Sequence, residues 1–153
     1  MNNDDVLTLP ISGGMRSRHS KKLEFAIRDF ITENGGSYYD DELYKGVLTS
    51  YFKLSEDMSV EQKIKIREDD VVCYTTLSVF VNMENKNLVN DVMRKLNLIN
   101  LEITYGNFEM SENGDIRFRS YYSPNDKIYL EDIDMLLGYP KHIIKEYESV
   151  LVN

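Results

Sequence analysis

The sequence predicts an α+β fold: an antiparallel sheet of about five strands with helices packed on one face. Two observations carry this. Side chains alternate with period two in two groups, over residues 46–81 and 101–122. Stretches of helical period stand before, between and after those groups, giving the order helix, three strands, helix, two strands, two helices.

Residues 1–19 mix acidic, Pro and Gly-Gly elements without a sustained period and are expected to form a flexible N-terminal arm. Residues 20–153 are expected to make one domain. A basic run, Arg16, Arg18, His19, Lys21 and Lys22, leads into the first helix. There Leu23, Ala26, Ile27, Phe30 and Ile31 form one stripe, and Asn34-Gly35-Gly36 ends it. Residues 38–42 read as a polar, acidic connection.

The first strand spans residues 46–54, with Leu48, Phe52 and Leu54 on one face. Val47, Thr49, Tyr51 and Lys53 take the other. The second spans 60–67, with Ile64 and Ile66 inward and Lys63, Lys65 and Arg67 outward. Glu68-Asp69-Asp70 makes the turn. The third spans 71–81 and is apolar at Val71, Cys73, Leu77, Val79 and Val81, and half apolar on the opposite set. A strand of that kind sits centrally or meets a partner on its second face. Asn85 or Asn87 can cap the next helix, whose apolar positions are Leu88, Val89, Val92, Met93 and Leu96.

Residues 101–122 read as a hairpin. Leu101, Ile103 and Tyr105 alternate with Glu102 and Thr104, and the parity switches at Gly106, which suggests a β-bulge. On the return strand Ile116 and Phe118 alternate with Arg117 and Arg119. A two-residue Asn-Gly loop would pair Met110 with Arg117 and mix the two faces. A three-residue loop of Glu112, Asn113 and Gly114 pairs Met110 with Ile116 and Phe108 with Phe118. It requires Gly114 in the left-handed conformation. Residues 130–137 then form a helix through Leu130, Ile133, Leu136 and Leu137, and Pro140 opens the last one.

Several function classes lose support. The net charge of −8 and pI near 4.8 argue against attraction of the whole surface to nucleic acid or an anionic membrane. With one cysteine, Cys73, no internal disulfide can form, and a cytoplasmic, reducing compartment is expected. No secretory signal or membrane span is read. The histidines, His19 and His142, have no neighbouring Cys or second His, so no metal site is expected. No nucleophile elbow and no phosphate-cradling glycine motif occurs. No catalytic residue and no cofactor are therefore expected.

The element order and the hairpin text resemble the YbjN-type family, described as candidate bacterial sensory-transduction regulators. Asn100, Tyr105-Gly106-Asn107-Phe108-Glu109-Met110, the Glu-Asn-Gly-Asp turn and the closing helix near Tyr147 carry the resemblance. It covers about residues 46–151. It implies a fold like that of the type III secretion chaperones, small acidic dimers that hold a segment of a client protein in extended form. It implies no catalytic residue.

Combining strand parities gathers Lys53, Lys63, Lys65, Arg67, Arg117 and Arg119 on the outward sheet face, interleaved with Tyr51, Tyr74, Phe80 and Tyr121. Three readings compete. The face can be a solvated surface whose cations guard against aggregation. It can contact a protein partner or a second copy in a homodimer. It can stack single-stranded nucleic acid on its tyrosines, which the acidic charge disfavours. The expectation is a non-enzymatic binding or regulatory protein, with a secretion-type chaperone for one client as the alternative.

Overall fold

The computed structural model describes residues 18–125 and 127–151. Its elements are α1 (Arg18–Glu33), β1 (Tyr38–Asp40), β2 (Val47–Lys53), β3 (Ser59–Ile66), β4 (Val71–Phe80) and α2 (Lys86–Glu102). They continue with β5 (Asn107–Met110), β6 (Asp115–Tyr122), α3 (Leu130–Leu137), α4 (Tyr139–Glu146) and α5 (Glu148–Leu151). One six-stranded sheet has the order β1-β2-β3-β4-β6-β5, and every pair is antiparallel. The α+β expectation holds, and β4 lies inside the sheet between β3 and β6.

Alternation decides which face is buried. Leu48, Val60, Ile64, Ile66, Val71, Cys73, Leu77, Ile116 and Phe118 all point inward and are buried. Two apolar clusters share this face. In the first, Leu23, Ile27, Phe30 and Ile31 of α1 meet Ile133, Leu136 and Leu137 of α3 over β2, β3 and β4. In the second, Leu96 and Ile99 of α2 and Ile143 and Ile144 of α4 pack on Phe108, Ile116 and Phe118. Each such side chain contributes about 1.5–3 kcal/mol by leaving water.

Between the clusters runs a buried polar row. Gln62 and Thr75 are paired in register, and each is fully buried. The Gln62 amide Nε2 donates to the Leu137 carbonyl at 2.8 Å and to Thr75 Oγ1 at 3.1 Å. Ser120 Oγ donates to the Leu136 carbonyl at 2.9 Å. Carbonyls in the last turn of a helix have no partner inside it, so α3 ends on sheet donors.

The hairpin register is as predicted: Met110 pairs with Ile116 and Phe108 with Phe118. Gly114 has φ +91°, and the Ser111 amide donates to the Asp115 carbonyl at 2.9 Å, closing the three-residue loop. An added Cβ at Gly114 would lie 2.1 Å from the Val81 carbonyl oxygen, so the turn is also pressed against the end of β4. Asn85 is the cap of α2, accepting from the Leu88 amide at 3.1 Å.

Four expectations are corrected. The stretch over residues 38–42 holds an edge strand, β1, which raises the sheet to six strands. Three residues are too few to show a period. Residues 101–105 are not a strand, because α2 continues to Glu102 and β5 begins only at Asn107. Leu96 and Ile99 are the buried positions of that helix, while Leu101 is 83% exposed. Gly106 therefore sits in a loop, at φ +70°, and not in a bulge. The sheet's register shift lies instead between Thr76 and Phe80 of β4. The final helical stretch is divided, since Tyr147 leaves helical geometry between α4 and α5. Of the arm expected over residues 1–19, residues 1–17 lie outside the described residues, as does Arg16 of the basic run; α1 begins at Arg18.

Candidate interaction face

Register places the outward side chains in rows across the strands. One row runs Tyr39, Thr49, Lys63, Tyr74, Arg119, Asn107. The next runs Tyr51, Glu61, Thr76, Arg117, Glu109, and a third runs Val47, Lys65, Val72, Tyr121. Lys53 pairs with Ser59 at one end. The predicted residues Tyr51, Lys53, Lys63, Lys65, Tyr74, Arg117, Arg119 and Tyr121 thus share the outer face, and Phe80 follows on the same parity, 76% exposed. Arg67 stands apart. It follows the end of β3 and turns its guanidinium onto Asp70 at 2.6 Å.

The cations are not equivalent. Arg117 holds Glu109 at 2.6 Å while its guanidinium lies 4.4 Å from the centre of the Tyr74 ring. Lys65 approaches the same ring at 5.2 Å. Both are within cation–π range. Tyr121 donates its hydroxyl to Asp70 at 3.1 Å. Tyr51 meets Tyr39 edge-on at 6.2 Å. The Tyr51 phenol is pushed above its usual pKa, chiefly by the charge of Glu61. Lys53, Lys63, Lys65 and Arg119 have no carboxylate within ion-pair distance among the described residues.

Parity reasoning left out Glu61 and Glu109, although each alternates with residues already assigned inward. They make the face less uniformly basic than expected. Tyr39 was missed because β1 was missed. Val72, outward by register, is only 3% exposed and gives the face a closed apolar patch.

Both sheet edges are guarded. On β5, the Asn100 side chain accepts from the Phe108 amide at 2.7 Å and donates to the Phe108 carbonyl at 2.9 Å. A helix side chain thereby occupies the positions that another strand would use. On the other side β1 has three residues, and Arg28 of α1 pairs with Asp40 and lies over the Tyr38 ring. Those contacts and the nearby Glu24 hold the Arg28 guanidinium above its already high pKa, Asp40 most strongly.

Among the described residues no three of His, Cys, Asp and Glu gather where they could hold a metal ion. Cys73 is fully buried, and burial pushes its thiol up to about 11, away from the reactive thiolate. Lys141 lies over the Phe52 ring, and its partial burial lowers its pKa. No helix among the described residues is long and apolar enough to cross a membrane.

Among the described residues, a six-stranded antiparallel sheet in the order above carries helices over one face. The chain has the fold of YbjN. The crystal structure of Escherichia coli YbjN, named as a candidate transcription regulator, matches it at TM-score 0.56. The match covers 82% of this chain and 90% of that one at 13% sequence identity. No family model and no curated protein matches the sequence. The YbjN likeness therefore speaks for the fold alone.

Proposed function

We propose that this protein is a non-catalytic binding module of a regulatory kind, which recognises a protein partner through the outer face of its sheet. One observation carries the reading. The described helices supply the inner face alone, leaving the other side of a six-stranded sheet with unpaired cations beside exposed aromatics. Arg and Tyr are the residue types that protein interfaces concentrate. The guarded edges support the same reading, because strand addition at β5 would first have to displace Asn100. Lys53, Lys63, Lys65 and Arg119 would favour an acidic partner and speed its arrival in an ionic-strength-dependent way. Candidate contacts are Tyr51, Lys53, Lys63, Lys65, Tyr74, Phe80, Arg117, Arg119 and Tyr121, with Arg67 at the rim.

The test is a pull-down from the native cell with the intact chain and with the double variant Lys65→Glu, Arg117→Glu. Capture of a specific partner should fall sharply in the variant at low salt. Capture at the original level by a folded double variant removes the outer face from the mechanism. Light scattering beside it shows whether the partner is a second copy of the chain.

A further inference from the structure

The loop between α2 and β5 leans over β6 and leaves a cleft of about 450 Å³ at the margin of the outer face. Its lining is Thr104, Tyr105, Gly106, Asn107, Arg119 and Tyr121. Two features hold its shape. Gly106 has φ +70°, and an added Cβ there would lie 2.6 Å from the Arg119 carbonyl oxygen and from the Phe118 ring. Only glycine allows the loop to come this close. Next to it the Tyr105 hydroxyl donates to the Tyr121 carbonyl at 2.8 Å, and its ring meets Tyr139 edge-on at 5.7 Å.

The chemistry of the cleft follows from which arginine is left over. Arg117 is committed to Glu109, and Arg67 to Asp70. Arg119 is exposed and has no carboxylate partner among the described residues. Its guanidinium thus offers an unfilled fork of donors beside two tyrosines, and carboxylates fill such a fork with two parallel hydrogen bonds. Lys63 stands two strands away in the same row, across Tyr74. At ~4.8 Å per strand that is about 10 Å, so a second acidic side chain of the same segment would meet it.

We propose that the Arg119 cleft is the anchor point for an acidic segment of the protein partner, taking one of its carboxylates. This rests on the reading of the outer face as the partner surface and narrows it to one position and one chemistry.

An amide-resolved NMR titration of the whole chain tests it. The probes are the capped peptides Ac-Gly-Glu-Leu-Glu-Gly-NH2 and Ac-Gly-Gln-Leu-Gln-Gly-NH2 at low ionic strength, with inorganic phosphate as a third arm. The acidic peptide should shift the amides of residues 104–107 and 119–121. The glutamine peptide should bind roughly tenfold or more weakly. Arg119→Gln should abolish that preference without collapsing the spectrum, and Arg119→Lys should keep part of it. Shifts at Lys63, Lys65 and Tyr74 with the cleft silent would overturn the anchor and leave the outer face standing. No outer-face shift with any peptide would overturn both. Equal binding of the two peptides would overturn the carboxylate assignment, as would phosphate filling the cleft at the same concentration.

Discussion

Asn100→Ala isolates the contact that ties α2 to β5. The wild-type side chain makes two hydrogen bonds to one residue, at 2.7 Å to the Phe108 amide and 2.9 Å to its carbonyl. Each is worth about 1 kcal/mol net, so their loss costs about 2 kcal/mol. Phe108 is only 2% exposed, so its amide gains little compensating water, while its carbonyl keeps a longer bond of 3.4 Å from the Asn107 side chain. A buried group left without a partner raises the cost by a further ~1–3 kcal/mol. Alanine is a better helix former than asparagine and returns up to ~0.7 kcal/mol. The expected loss is therefore about 2–4 kcal/mol, or roughly 4–16 °C in Tm for a chain of this size. Urea unfolding followed by circular dichroism measures it. Asn97→Ala, an exposed substitution on the same helix, should change stability by less than about 0.5 kcal/mol. A loss below about 1 kcal/mol for Asn100→Ala, with an unchanged m-value, would show that the edge clamp is not what holds β5.

Gly114→Ala places a methyl 2.1 Å from the Val81 carbonyl oxygen at φ +91°, and should cost at least about 2 kcal/mol in the same assay. Near-neutral behaviour would mean that the turn is free to rebuild. Cys73, with its thiol pushed up to about 11 by burial, should react with Ellman's reagent at pH 8 only as fast as the protein opens. Immediate labelling of the native chain would place it outside the core. Tyr147 donates to Glu102 at 2.7 Å, which pushes its phenol up to about 12 from the ordinary value near 10. The folded state then holds this proton longer than the unfolded one, so the contribution is intact below pH 10 and fades between about 10 and 12. Comparing urea midpoints of wild type and Tyr147→Phe across that window should show the gap narrowing as pH rises; a constant gap would contradict the bond.

Much of the fold was legible because two periods rarely coincide. The α3 boundaries, Leu130 and Leu137, follow from four apolar positions and a flanking Gly-Tyr-Pro break. The parity of Lys63, Lys65, Arg117 and Arg119 follows from their buried neighbours Ile64, Ile66, Ile116 and Phe118. Where both periods fit, reading failed. Leu101, Ile103 and Tyr105 alternate, yet Leu96, Ile99 and Ile103 also step along one side of a helix, and burial of Leu96 and Ile99 decides for the helix. The cleft beside Arg119 was out of reach for a different reason. It depends on Gly106 meeting the backbone of Arg119, two positions brought together only once the sheet exists. The pairing of Asn100 with Phe108 is likewise a matter of tertiary contact, although Asn100 is among the residues that carry the family resemblance.

The belt of Gln62, Thr75 and Ser120 has a consequence for uniqueness. Oily surfaces forgive sliding, and a helix lying on leucine and isoleucine alone could shift along its axis by one turn, about 5.4 Å, at modest loss. Directional donors do not forgive it. A displaced α3 would carry the Leu136 and Leu137 carbonyls away, leaving Gln62 Nε2 with Thr75 alone and Ser120 with only a 3.5 Å contact to the Cys73 carbonyl in a dry interior. A handful of small hydrophilic side chains thereby acts as a detent, picking one axial setting from several that grease would accept.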